Sequence, residues 1–380
     1  MSANFINLIP ELHFQQYSNQ IMEIIKNKIP CGFFCGFGVP ESVSEIVENL
    51  KDTGINLTCI CVLADSQMGG GIEDIPCVTL EEFANLEDKP QIILHSSDII
   101  TPIFREYFLR FGVDMFSLEN IENSKAYYDF YIQNLPQLYE VYEMLADEES
   151  KKVFLASIKG MVTQRLRDFR FAPEPQYFLE GFLPTKGDIA IDGGAYDGAT
   201  SRDFAMQGAE VYAFEMSAEN YKKCLERAEK YNFVVENLGL SIREGEEFYI
   251  EGGTASSKGH GKSVAKFTDL DTYVNKKNLP RVDYIKLDIE GAELDMLQGA
   301  AKTIARWKPK MAVSAYHKLE DLWTLALYIK SIRPDYEFQF RHYKIDCTDY
   351  TLTDAHREIL KYFGLSYFLS SYCEKVLYCR

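Results

Sequence analysis

Nowhere in the 380 residues is there an uninterrupted apolar run long enough to span a bilayer. The first twenty residues mix Glu11, His13, Gln15 and Gln16 with apolar ones, and lack the basic start and apolar core of a signal peptide. Excess positive charge is missing too: 40 Lys and Arg stand against 57 Asp and Glu, a formal net charge of −17. Phosphate backbones and anionic membrane surfaces are held by clustered Lys and Arg, so no nucleic acid and no membrane partner is expected, and a small or uncharged ligand is. No Cys and His spacing reads as a zinc site. The nine cysteines are an odd number, and Cys31, Cys35, Cys59, Cys61 and Cys77 lie inside apolar stretches. That is the pattern of buried thiols in a reducing, cytoplasmic compartment rather than of a disulfide framework. No internal repeat or low-complexity tract stands out, although GGTASSKGHGKS (Gly252–Ser263) reads as a flexible loop able to order over a bound ligand.

What the chain has is a pair of distant stretches, IDGGAYDG (Ile191–Gly198) and YIKLDIEGAE (Tyr284–Glu293), each reading as a buried strand running into a helix start. In a parallel α/β sheet the carboxyl ends of strands lie side by side, so both loops reach one crevice, where such folds bind ligands. Gly193, Gly194 and Gly198 permit a tight turn, and Ser201, Arg202 and Asp203 open a helix. Glu215 closes the next apolar run, Val211–Phe214, at roughly the twenty-residue offset where an acid grips a ribose diol. A dinucleotide would want glycine where Ala195 stands, because its pyrophosphate needs close backbone approach. S-adenosyl-L-methionine fits better: its ribose suits Glu215, and its charged methionine end suits an acidic mouth made by Asp192 and Asp197. A purely structural strand-to-helix turn is the alternative, since a glycine loop alone is a weak motif.

Further pieces follow in order: LADEESKKVF (Leu145–Phe154), QYF (Gln176–Phe178), VYAFE (Val211–Glu215), TDLD (Thr268–Asp271), LQGA (Leu297–Ala300), SAYHKLEDLW (Ser314–Trp323), RHY (Arg341–Tyr343) and VLY (Val376–Tyr378). With the two loop motifs they make the chain from Leu145 onward resemble the FkbM family of S-adenosylmethionine-dependent methyltransferases. Two departures stand out: Tyr196 and Asp197 replace a common Asn and apolar residue, and about thirty residues separate RHY from the last strand. The resemblance implies an O-methyltransferase acting on a hydroxyl, of a sugar in a surface glycan or of a secondary metabolite. It also implies Tyr196, Gly198, Thr200, Met216, Asn237 and Leu238 as further donor contacts, the last two at the adenine edge. A possible homo-oligomer is left open. A non-catalytic binder of a nucleotide sugar or partner protein that keeps the cofactor fold is the alternative from another class, and a dinucleotide oxidoreductase is a third, which Ala195 opposes.

The alternation of strands and helices argues for an α/β chain. A doubly wound Rossmann-like methyltransferase sheet with a C-terminal antiparallel hairpin is expected over 186–380, with candidate strands ending at Asp192, Glu215, Asn237, Asp288 and Tyr316. It follows a smaller Rossmann-like α/β domain (1–120) and a helical connecting region (121–185). The small domain pairs CGFFCGFG (Cys31–Gly38) with LTCICVLAD (Leu57–Asp65), but Glu41 stands where a third glycine belongs, so a structural or partner-binding role is preferred to a second nucleotide site. The stripe Tyr127, Tyr128, Phe130, Tyr131, Leu135, Leu138, Tyr139 and Tyr142 reads as packing, with a lid over the acceptor as the alternative.

A sulfonium is an activated donor, so alignment does most of the chemistry, and a hydroxyl acceptor also needs its proton removed. Asp288, at the end of the strand beside the glycine loop, is expected over the reacting methyl, and His317, after the next strand, is expected as the base. Their bland alternatives are a helix cap and a hydrogen-bonded structural histidine. Glu290, Tyr316, Arg341 and His342 are candidate acceptor contacts, with ordinary strand-edge charge as the alternative for the last two. Asp288, Glu290 and Glu293 form an acidic cluster of the kind that holds magnesium. The reading without metal is preferred, with Glu293 facing along its helix and Glu290 orienting Lys286 or an amide.

Overall fold

The computed structural model describes residues 5, 7–9, 20–36, 40–62, 71–72, 74–95, 101–250, 263–346, 368–369 and 373–380. The glycine turn around Gly38, the acid Asp65 and most of the loop Gly252–Ser263 lie outside these residues. The chain divides into two compact units, one of Met1–Leu135, Leu155–Phe171 and Lys344–Tyr372, the other of Pro136–Phe154, Ala172–Tyr343 and Cys373–Arg380.

In the first unit, strands β1 (Cys31–Gly36), β2 (Leu57–Val62), β3 (Cys77–Thr79), β4 (Ile92–His95) and β5 (Asp114–Ser117) form a parallel sheet in the order β3-β2-β1-β4-β5. Alternate residues of one strand feed opposite faces. Phe34, Cys59 and Cys61 therefore pack with Phe83, Phe104 and Phe108 on one side, while Phe33, Ile60 and Val62 pack with Val43, Val47 and Leu50 on the other. Both faces being covered explains the near-continuous apolar runs. Thr79 and Glu82 form a reciprocal capping box that starts the helix Leu80–Asn85. Cys31, Cys59 and Cys61 are buried free thiols, and Cys35 and Cys77 are half-buried. In the aromatic stripe Tyr128 and Tyr131 are buried, as packing requires.

The second unit carries β6 (Ile189–Gly193), β7 (Glu210–Phe214), β8 (Val234–Glu236), β9 (Gly239–Leu240), β10 (Glu247–Ile250), β11 (Ser263–Thr268), β12 (Tyr284–Leu287), β13 (Lys310–Ser314) and β14 (Phe338–His342). The short strands β15 (Ile345–Asp346) and β16 (Phe368–Leu369), which belong to the first unit, pair with each other, and β17 (Lys375–Cys379) completes the large sheet of the second. That sheet has the order β14-β17-β13-β12-β6-β7-β8. It is parallel from β13 to β8, whereas β17 runs antiparallel to both neighbours and inserts between β13 and β14. All five residues of β17 are buried, which an edge strand would not allow. Ala190, Phe204, Val211, Tyr284, Ala312, Val376 and Tyr378 belong to one core, so the last strand is joined to the first through packing as well as hydrogen bonds. A separate small sheet, β10-β11-β9, flanks the region after β8. Among the described residues no helix is long and apolar enough to cross a membrane.

Candidate active site

The order β13-β12-β6-β7 places four strand ends in a row, and the polar residues follow directly: Tyr316 and His317 after β13, Asp288 after β12, the glycine loop after β6 and Glu215 after β7. Gly194 has φ 77°, and a Cβ added there would lie 1.8 Å from the carbonyl oxygen of Asp288. The loop thus presses bare backbone onto the neighbouring strand end. Gly194 and Ala195 both donate their N–H to Phe214 O at 3.0 Å, and Tyr196 N donates to Glu215 Oε2 at 2.8 Å. The other carboxylate oxygen of Glu215 accepts from Ser217 N at 2.7 Å. Burial pushes the Glu215 carboxyl up to about 7, against the pull of those two amides and of Lys286. Gly194→Ala should lower stability by at least about 2 kcal/mol and abolish donor binding, because left-handed strain and a backbone clash coincide. Gly187→Ala, with φ 86° and nothing within 4 Å of the added carbon, should lose only about 1–2 kcal/mol and keep binding. Thermal unfolding and donor calorimetry on the two variants check this.

Asp192 was expected at the mouth of the crevice beside Asp197. Instead it is completely buried beneath the loop, 3.0 Å from Lys286 Nζ and accepting from Ser201 Oγ at 2.5 Å. A carboxylate in an apolar sheet must be paired there, since an isolated buried charge is far too costly. Lys286 also donates to Gly194 O at 2.7 Å, so this ion pair holds the loop from below. Glu290 does not orient Lys286, as the sequence suggested. Asp197 pairs with Arg227 at 2.7 Å and caps Ala199 N at 3.0 Å.

Asp288 caps no helix: the helix Glu293–Gly299 begins at Ala292 without a side-chain cap. Its carboxylate accepts from Tyr177 OH at 2.8 Å and Tyr316 OH at 3.1 Å, and His317 Nε2 lies 3.5 Å away. Tyr177 itself takes a left-handed backbone, φ 67°, and its hydroxyl also meets Ser314 Oγ at 3.0 Å. Gln176 beside it donates to Glu374 Oε2 at 2.7 Å. Glu293 does not face along its helix. It is fully buried, accepts from Ile289 N at 2.9 Å, and comes within 3.0 Å of His317 Nδ1. Glu290 Oε2 lies 3.5 Å from His317 Nε2. Burial would lower the His317 value, but Glu293, Asp288 and Glu290 outweigh it and raise it to about 9. Burial raises the Asp288 carboxyl while Lys286 and His317 lower it further, and the balance is a lowered value. With no bound cation, His317 therefore carries its proton near neutral pH and is not the resting base that its position suggested. Asp288 is the ionised group.

The remaining candidates separate. Met216 packs against Ala265 and Phe267, half-buried beside Glu215. Asn237 donates to the carbonyls of Glu215 at 2.8 Å and Met216 at 3.3 Å, fixing the chain after β7; its amide is thereby engaged in the fold. Leu238, between β8 and β9, and Thr200, in the first turn of the helix Ala199–Met206, are half-buried. Arg341 is not presented to an acceptor: its guanidinium is buried, donating to Ser150 Oγ at 2.7 Å and Gln339 Oε1 at 3.2 Å, with Asp147 and Glu174 each 3.4 Å away. His342 is likewise fully buried in β14. A hairpin strand reads locally as a solvated edge, but here LADEESKKVF supplies the partners that bury it. Sequence reasoning misses Lys286 as a site residue and finds Glu293 only as one member of an acidic cluster. A lysine in the apolar run YIKL was the available signal, since such a charge demands a buried partner.

Residues 192–369 match the family profile described as the methyltransferase FkbM domain. No curated protein matches the chain. Among solved structures, the methyltransferase FkbM from Methylobacillus flagellatus KT is similar over 100% of this chain and 97% of its own, with TM-score 0.61 and 18% identity, a likeness of fold. A putative methyltransferase from Streptococcus mutans, solved in complex with SAH, is similar over 52% of this chain and 90% of its own, at TM-score 0.29 and 13% identity.

Proposed function

We propose that the chain is a methyltransferase of the FkbM family, on the match of residues 192–369 to that domain, and that it moves a methyl group from S-adenosyl-L-methionine to a hydroxyl, of a sugar in a glycan or of a secondary metabolite. One observation carries the reading: Glu215 and Asp288 stand on the two sides of a single glycine loop, tied to it by Tyr196 N and by the Gly194 contact. Glu215 keeps lone pairs for a ribose diol, and the loop offers no glycine at Ala195 for a pyrophosphate. Bound there, the donor supplies an electrophilic methyl on a sulfonium. Asp288, with the hydroxyls of Tyr177 and Tyr316 at 2.8 and 3.1 Å, orients an acceptor hydroxyl and accepts its proton as the oxygen attacks the methyl and the carbon–sulfur bond breaks. With the methyltransferase domain present, the non-catalytic alternative is not favoured.

Calorimetry with S-adenosylmethionine, S-adenosylhomocysteine and NAD, followed by a mass assay for a gain of one methylene on hydroxylated sugars, tests it. Binding of both sulfur nucleosides and not of NAD is expected, and a flat titration with both on folded protein removes the reading.

Glu215 adds a pH dependence of known sign. Its folded value near 7 exceeds that of the unfolded chain, so its contribution to stability is complete below the ordinary carboxylate range and is lost as pH rises through about 7. Diol hydroxyls donate best to the ionised form, so donor affinity should rise from pH 6 to pH 8 while the stability of the donor-free protein falls. Glu215→Gln should flatten the affinity profile and weaken binding by about 1.5–3 kcal/mol at pH 8. Titrations at pH 6, 7 and 8 check both slopes.

A further inference from the structure

The cluster around His317 has more acid than a proton-shuttling histidine needs. Three carboxylates approach one imidazole: Glu293 at 3.0 Å from Nδ1, and Asp288 and Glu290 each at 3.5 Å from Nε2. Yet neither ring nitrogen has a hydrogen-bond partner of acceptable alignment, although the side chain is only 9% exposed. The second oxygen of Glu293 is buried and has no partner either. Buried polar atoms are nearly always satisfied, so orphaned groups from two residues around one space mark something that belongs between them. One ligand atom from each of Asp288, Glu293 and His317 can be chosen so that all lie within 4.8 Å of one another. Atoms bound to one cation at about 2.1–2.4 Å are about 3.0–3.4 Å apart when adjacent and up to about 4.8 Å apart when opposite.

We propose that Asp288, Glu293 and His317 bind a divalent cation, with Glu290 within reach as a further ligand. One imidazole nitrogen among carboxylate oxygens suits manganese or zinc better than calcium, which takes only oxygen. The positions follow from the sheet. Asp288 ends β12 and His317 follows β13, adjacent parallel strands, and Glu293 opens the helix after β12. Resting on the reading of this crevice as the methyl-transfer site, the cation's task is to bind the acceptor oxygen and lower the pKa of its hydroxyl, so that it loses its proton to Asp288 or to water as the methyl arrives.

The test uses the untagged full chain, freed of metal by chelator and returned to chelator-free buffer, titrated with manganese(II) chloride and with zinc(II) chloride. One equivalent is expected to bind, at least ten-fold more weakly in His317→Gln and in Glu293→Gln, each confirmed folded by circular dichroism. Pulsed electron paramagnetic resonance of the wild-type manganese complex should show nitrogen coupling from one imidazole, a readout independent of the variants. Absence of tight binding, equal affinity in the folded variants, or no nitrogen coupling would each overturn the inference and leave an imidazolium held by three acids. Donor binding is titrated separately with S-adenosylhomocysteine. If that fails while manganese binds as expected, the donor reading falls and the cation site stands.

Discussion

Replacing Lys286 by methionine is expected to destabilise the second unit by about 3–5 kcal/mol, the scale of a buried ion pair broken from one side. Lys286 is 3% exposed and Asp192 is fully buried, so removal of the ammonium leaves a carboxylate with Ser201 as its neutral partner and no route to water. Burial lowers the Lys286 value, but Asp192 and Asp288 overcome it and raise it, so the charge is present at any ordinary pH. The ammonium also serves the carbonyl of Gly194 and sits 5.2 Å from the ring centre of Tyr177. Its loss therefore loosens the loop from beneath and the Tyr177 ring from one face. Methionine matches much of the volume, which limits the cavity contribution and makes the electrostatic part the larger one. Urea unfolding of wild type, Lys286→Met, Asp192→Leu and the double variant measures it. The double variant should recover at least half of the loss, because removing both charges ends the unpaired burial. Equal loss in the double variant would mean that the hydrogen bonds to the loop, and not the pair, carry the stability.

The two loop motifs could be read because strand-to-helix turns are written locally: an apolar run, glycines at left-handed positions, an acid just beyond the next strand. Glu215 and Asp288 come out of that reading at strand ends on either side of the glycine-loop strand. What could not be read was pairing across long chain separations. Nothing near Asp192 indicates that its partner is Lys286, or that Arg341 meets Asp147 and Ser150, or that Glu293 turns back to His317. Local pattern also fails for β17. Its residues look like one arm of a terminal hairpin, and only the sheet order shows it inside, flanked by β13 and β14. The small sheet β10-β11-β9 was missed for a related reason, since Glu247–Ile250 is short and flanked by polar residues. The same difference between local and distant information explains why Asp192 reads as a mouth residue although it belongs to the foundation.

Asp288→Asn should lower kcat about 10²–10⁴-fold while leaving donor affinity within about three-fold, the range expected when a general base or its equivalent is removed. The substitution is nearly isosteric, and the amide oxygen still accepts from one of Tyr177 and Tyr316, so the local fold is kept. What disappears is the negative charge that the acceptor hydroxyl needs as its oxygen attacks the methyl. Lys286 and His317 hold that carboxyl ionised in the face of burial, so the wild-type group is charged across the neutral range and the variant is not. Donor affinity is expected to be spared because the proposed diol ligand, Glu215, stands across the glycine loop. Stability at neutral pH should fall modestly, since Lys286 and His317 hold the Asp288 value below its ordinary range and the ionised form therefore favours the fold. Tyr316→Phe gives a graded control. It removes one donor to the same carboxylate and should lower kcat only about ten-fold, as loss of one positioning hydrogen bond does. Steady-state turnover and S-adenosylhomocysteine titration on both variants separate the cases. A normal kcat in Asp288→Asn takes Asp288 out of the reaction, whereas parallel loss of turnover and donor binding makes it a part of the donor cradle.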